Sequence, residues 1–149
     1  MSSAAPAPPL GALCRRLARG IAQEARRELI RQGHTGVRPA HNLVFTLVAS
    51  GVTRTTDMAA RLGMSKQAVT LMVSQLEASG YVSRVPDGSD GRAKLVQLTD
   101  RGRAAAAVSA RVAAAAERRW AEVIGPERLV DCKAALQELI EQAPIRPTP

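Results

Sequence analysis

The chain has 149 residues, a formal net charge of +8, and 46% hydrophobic but only 2% aromatic residues. That length supports one domain with its own core, and the apolar content excludes wholesale disorder. A core of Leu, Val, Ile, Met and Ala points to packed helices rather than a β-sandwich, and the basic balance favours a polyanionic partner, nucleic acid being the commonest.

Residues 1–9, with Pro6, Pro8 and Pro9, predict a disordered lead-in, and residues 144–149 a similar tail. Between them, 10–143 form one domain. Leu10, Leu13, Cys14, Leu17, Ile21, Ala25 and Leu29 recur at helical spacing and predict a first helix over 10–32, ended by Gly33 and Gly36. A second follows Pro39, with Leu43, Val44, Leu47 and Val48 on its apolar side and Gly51 at its close.

The informative stretch comes next. Thr55 or Thr56 is expected to cap a short helix through Leu62 whose inward residues are Met58, Ala59 and Leu62. Gly63 makes a turn, Ser65 caps a second, longer helix with Ala68, Val69, Met72, Val73 and Leu76 inward, and Gly80 stops it. Two short helices around a glycine turn, the second the longer, make a helix-turn-helix. Two β-like segments, 81–85 and 94–98, flank the turn-rich Pro86 to Ala93, as in a hairpin wing. Thr99 then caps a long alanine-rich helix carrying Val108, Val112, Trp120 and Val123. Gly125-Pro126 breaks it, and a last helix over 127–142 sets Leu129, Cys132, Leu136, Leu139 and Ile140 on one side.

The expected fold is therefore mainly α with a small β-hairpin wing. The winged helix-turn-helix lies at about 40–100, and long terminal helices at about 10–32 and 100–142 form a dimerisation region. So much apolar surface on terminal helices around so small a core suggests packing against a second copy.

The string Leu76-Glu77-x-x-Gly80-Tyr81-Val82, then Asp90-x-Arg92, then Leu98-Thr99-x-x-Gly102 resembles the MarR (multiple antibiotic resistance regulator) family. The resemblance covers about a third of the chain. It implies a homodimeric winged-helix regulator on a pseudo-palindromic double-stranded DNA operator, often a repressor released by small phenolic or lipophilic ligands or by cysteine oxidation. Two positions depart from the family pattern. Gly91 stands where the wing usually has an arginine, and Leu71 stands where an arginine often follows the threonine of the recognition helix.

Residues near the N-terminal end of a recognition helix reach base edges, which nominates Ser65, Lys66, Gln67 and Thr70. Gln67 suits a bidentate contact to adenine, Lys66 guanine or a phosphate, and Thr70 a thymine methyl. The resemblance implies that Arg92 enters the minor groove while Asp90 holds the hairpin; narrow minor grooves attract arginine. The alternative for that pair is a surface ion pair of little worth. Arg54, Arg61, Arg84 and Lys94 are candidates for phosphate contacts, which orient without reading sequence.

The charge is not concentrated there. Residues 50–103 hold eight basic and five acidic residues, whereas residues 1–38 hold seven and two. The first helix thus carries most of the excess, either as an extended DNA footprint or as a solubilising face.

Cys14 and Cys132 lack metal or disulfide spacing, and a reducing cytoplasm is the expected compartment. Some family members sense peroxides through a first-helix cysteine, so a redox role for Cys14 stands beside buried packing. His41 could line an effector pocket. Neither a secretory signal nor an apolar run of membrane-spanning length is apparent. Paired carboxylates, a nucleophile–base set, a phosphate loop and a metal cluster are all missing, so neither an enzyme nor a cofactor is expected. A winged helix used for protein–protein interaction is the remaining alternative.

Overall fold

The computed structural model describes residues 7–142, without the side chains of residues 90–92. The first six residues of the expected lead-in, the end of the expected domain at 143 and the tail at 144–149 lie outside the described residues. The elements are α1 (Leu10–Arg31), α2 (His41–Ala49), α3 (Thr55–Leu62), α4 (Lys66–Ala78), β1 (Val82–Asp87), β2 (Asp90–Leu98), α5 (Asp100–Ile124) and α6 (Pro126–Gln142). This is the expected order, mainly helical with one antiparallel hairpin.

Local chemistry explains most boundaries. Gly63 closes α3 in the left-handed region at φ 60°, a conformation that disfavours side chains bearing Cβ, and the chain turns at once into α4. Ser65 caps α4 by accepting the Ala68 N–H at 3.2 Å. Thr99 caps α5 by accepting the Gly102 N–H at 3.0 Å, while its own hydroxyl donates to the Gly80 carbonyl at 2.7 Å. One threonine thus fixes the start of α5 on the end of α4.

Neither Thr55 nor Thr56 caps α3, contrary to the sequence reading. The N-cap position belongs to Arg54, in extended conformation and without a side-chain cap bond. The chain enters α3 straight from a strand-like contact, the Val96 N–H donating to the Thr53 carbonyl at 2.8 Å, so both threonines are already helical.

The hairpin is also longer than expected. Pairing runs from Val82↔Leu98 to Pro86↔Lys94 and then, after an irregularity, to Asp87↔Asp90. Most of the expected loop over 86–93 is therefore strand, with Gly88 and Ser89 as the turn. The Asp87 carboxylate accepts both the Ser89 N–H (2.9 Å) and the Ser89 hydroxyl (2.7 Å), which closes the chain tightly enough for a two-residue turn.

The core gathers Leu29, Val37, Val44, Met58, Val69, Val73, Leu76, Tyr81, Val96 and Val108, all essentially inaccessible. Each such aliphatic side chain contributes about 1.5–3 kcal/mol by leaving water. The apolar stripe of α1 is buried only at Ala25 and Leu29, while Leu10, Leu13 and Leu17 stay exposed. Helix α6 buries nothing, and Val123, Val130, Leu139 and Ile140 are exposed. The inward face read for α1 and α6 is thus largely uncovered by the described residues, although Ala25 and Leu29 are buried and Leu129 and Leu136 half-buried.

Candidate nucleic-acid interface

Helix α4 buries Val69, Met72, Val73 and Leu76 and turns Ser65, Lys66, Gln67, Thr70 and Leu71 outward. The four residues nominated to read bases therefore share one exposed face, although the Ser65 hydroxyl is engaged in the helix cap. Beside them a concavity of about 490 Å³ opens between the start of α3, α4 and the hairpin. It is lined by Arg54, Thr55, Thr56, Lys66, Thr70, Arg84, Ala93 and Lys94. Four cationic side chains and a helix N-terminus face one groove, an arrangement suited to a polyanion. The structure thus brings together Arg54, Lys66, Thr70, Arg84 and Lys94. Arg61 lies elsewhere, in a hollow with Val52, Asp57 and Ala60. The side chains of Asp90 and Arg92 are outside the described ones.

The two groove arginines are not bare. The Arg84 guanidinium donates to Glu77 (2.8 Å) and to the Ser74 hydroxyl (3.0 Å), joining β1 to α4. The Arg54 guanidinium donates through Nε (2.9 Å) and Nη2 to Asp87 Oδ2, joining the start of α3 to the hairpin tip. Asp87 is 7% exposed. The Ser89 amide, the Ser89 hydroxyl and then Arg54 hold its carboxyl down at about 2. Sequence reading missed Asp87, Ser89, Ser74 and Glu77 as partners. Asp87 looked like one turn former among several, and Glu77 was only a letter in the motif.

Behind α4 lies a second polar contact. His41, 2% exposed, accepts the Arg38 N–H on Nδ1 (3.1 Å), so its proton sits on Nε2, which reaches Gln75 Oε1 at 3.1 Å. Burial pushes its pKa down, and the Gln75 bond only partly opposes this. His41 therefore links α2 to the recognition helix from inside the core and does not line the nearby cavity. That cavity, of about 470 Å³, has Ala25 of α1, Asn42, Phe45, Thr46 and Ala49 of α2, and Ala106, Ser109, Ala110 and Ala113 of α5 among its walls. Ser109 donates to Asn42 Oδ1 across it at 2.8 Å.

Residues 38–94, which span the groove and its supports, match the model of the MarR family. That segment is MarR-like. Solved structures agree on its fold. A MarR-family transcriptional regulator from Rhodococcus sp. RHA1 is similar at 24% identity, covering 90% of this chain and 94% of its own, with a TM-score of 0.68. CouR from Rhodococcus jostii RHA1, bound to p-coumaroyl-CoA, is similar at 22% identity over 95% and 99% of the two chains, TM-score 0.68. The reduced form of MarR from E. coli is similar at 20% identity over 91% and 99%, TM-score 0.70. No curated protein matches the chain. The matched segment takes in the helix-turn-helix and most of the wing. Among the described residues no helix is long and apolar enough to cross a membrane.

The basic excess of α1 is partly used within the fold. Arg31 pairs with Glu28, which is held at about 2 by that contact and by Gln32, and Arg26 donates to the Val37 carbonyl at 3.4 Å. Cys14 is half-buried and Cys132 exposed.

Proposed function

We propose that this chain is a homodimeric, sequence-specific DNA-binding transcription regulator, a repressor released by a small molecule. The observation that carries this reading is the convergence on one groove of the exposed start of α4 with Lys66, Lys94, Arg54 and Arg84. Gln67 and Thr70 supply base-reading chemistry there, and Arg92 is the residue that the family pattern assigns to the minor groove. The exposed Leu10, Leu13, Leu17, Val130 and Ile140 favour a second copy, because an uncovered apolar face on terminal helices is costly in water. The cavity between α1, α2 and α5 supports release by a ligand, since its α2 wall adjoins the His41–Gln75 link to α4. The p-coumaroyl-CoA bound to CouR is a precedent for a small molecule held by this fold.

The test is titration of the full chain against duplexes enriched from a random pool, at several salt concentrations. Enriched duplexes should bind far more tightly than scrambled ones, and Lys66→Glu with Lys94→Glu should abolish binding. Equal affinity for enriched and scrambled duplexes would remove the sequence-specific claim. Intact biological activity in the doubly reversed variant would favour a protein-interaction role.

A further inference from the structure

The groove contains four cations that the sequence offers as candidates for phosphate contact, Lys66 for guanine as well, yet the structure divides them into two kinds. Lys66 and Lys94 are exposed. Arg54 and Arg84 each donate two hydrogen bonds to acceptors on a neighbouring element. Arg54 spans from the start of α3 to Asp87 at the hairpin tip, and its Nη2 also reaches Ser89 Oγ at 3.3 Å. Arg84 spans from β1 to Glu77 and Ser74 on α4. The hairpin is thereby tied at its tip to one helix of the helix-turn-helix and at its base to the other.

We infer that Arg54 and Arg84 are positioning residues that fix the wing against α3 and α4, and that Asp87 and Glu77 are parts of the DNA-recognition apparatus although neither could touch a phosphate favourably. This rests on the DNA-binding reading above. The physical reason lies in geometry and desolvation. A guanidinium presents a rigid fork that suits two acceptors at once, whereas a lysine ammonium is a point charge on a flexible stem. Asp87 is almost wholly covered, so a phosphate that drew Arg54 away would leave a buried carboxylate without its cation. Among the described residues Lys66 and Lys94 have no such acceptor, and they are the groove's phosphate ligands. The distance between the base-reading face of α4 and the wing is then set before DNA arrives. Specific binding requires that distance, because major-groove and minor-groove contacts must be made together. Non-specific binding to phosphates does not.

The experiment compares one enriched duplex with its scrambled counterpart, across a salt series, for the full chain and five variants. Wild-type protein that binds both equally rejects the DNA-binding reading itself, and the present inference is judged only when wild type discriminates. Asp87→Asn and Glu77→Gln each remove a negative charge, so electrostatics alone would tighten binding everywhere. The expected result is the opposite on the enriched duplex, a loss of about tenfold, the scale of one base pair's readout, with scrambled binding unchanged or tighter. Arg84→Lys should behave as Glu77→Gln does, because a single ammonium on a flexible stem lacks the two-nitrogen fork that holds Glu77 and Ser74 at once. Lys94→Ala should weaken both duplexes alike and flatten the salt slope by about 0.9. If Asp87→Asn fails to melt cooperatively, Arg54→Lys takes its place. Retention of full specific affinity in Arg84→Lys or Arg54→Lys would overturn the inference, as would tighter binding of Glu77→Gln to both duplexes.

Discussion

A Cβ placed on Gly102 would stand 1.9 Å from the carbonyl oxygen of Tyr81. That oxygen also accepts the Thr99 N–H at 3.1 Å, so the first turn of α5 is pressed directly onto the end of the recognition unit. This contact gives a physical meaning to the spacing Gly80-Tyr81 and Thr99-x-x-Gly102. The glycine is required by backbone on the far side, not by its own dihedral angles.

Gly102→Ala should therefore destabilise the fold severely, by about 3 kcal/mol or more, since neither backbone can retreat cheaply. Gly20 is the matched control. It lies in the middle of α1, and an added Cβ meets nothing within 4 Å. Gly20→Ala should stabilise by about 0.5–1 kcal/mol. Urea unfolding of the two variants reads the difference.

His41 makes stability pH-dependent. Burial depresses its folded pKa below the ordinary 6.5 of the unfolded chain. Above that value His41 is neutral in both states and its packing contributes in full. As pH falls below it the unfolded chain takes up a proton that the folded chain resists, and stability declines until the folded pKa is passed. The slope from this group approaches about 1.4 kcal/mol per pH unit. Removing it by His41→Gln should flatten the stability profile between neutral pH and the carboxylate range; a slope that persists there unchanged would assign the effect to another group.

Asp87 titrates lower. Its carboxyl is held at about 2 against an ordinary 3.8, so its contribution is complete above 3.8 and is lost as pH falls from there toward 2. Hairpin amides should lose protection, relative to their intrinsic rates, in that window before core amides do, and Asp87→Asn should lose it already at neutral pH. Hydrogen exchange resolved by residue is the measurement.

Leu71 is 59% exposed on the recognition helix, one residue after Thr70. An apolar side chain there adds no charge to the face of α4 that we propose meets DNA. Leu71→Arg should tighten DNA binding and steepen the salt slope by about 0.9, the signature of one more neutralised phosphate. Unchanged affinity and slope would place Leu71 outside the contact face.

The uncovered apolar residues of α1 and α6 should hold two copies together. Leu17→Asp with Ile140→Asp should yield monomers in sedimentation equilibrium and weaken binding to a two-half-site duplex more than to a single half-site. Dimers that persist in this variant would move the interface elsewhere.

Much of this was legible in the residue pattern. Helix order, the glycine turn at 63, the Ser65 and Thr99 caps and the exposed reading face of α4 depend on neighbours within a few positions, where helical period and cap chemistry operate. The ends of β1 and β2 were misjudged because Asp87 closes the turn with its own side chain, which turn-former counting does not detect. The start of α3 was misjudged because a bond from Val96 to Thr53 sets it, across more than forty residues. Arg54 and Arg84 read from the sequence only as candidates for phosphate contact, because charge is visible in a sequence and its partner is not. Their partners lie at Asp87 and Glu77, and only the fold brings them together. The sequence by itself therefore determined what kind of surface this protein presents, a helix-turn-helix with a wing. Tertiary structure alone decided which of its cations are committed inside the protein, because that depends on which carboxylates chain folding buries beside them.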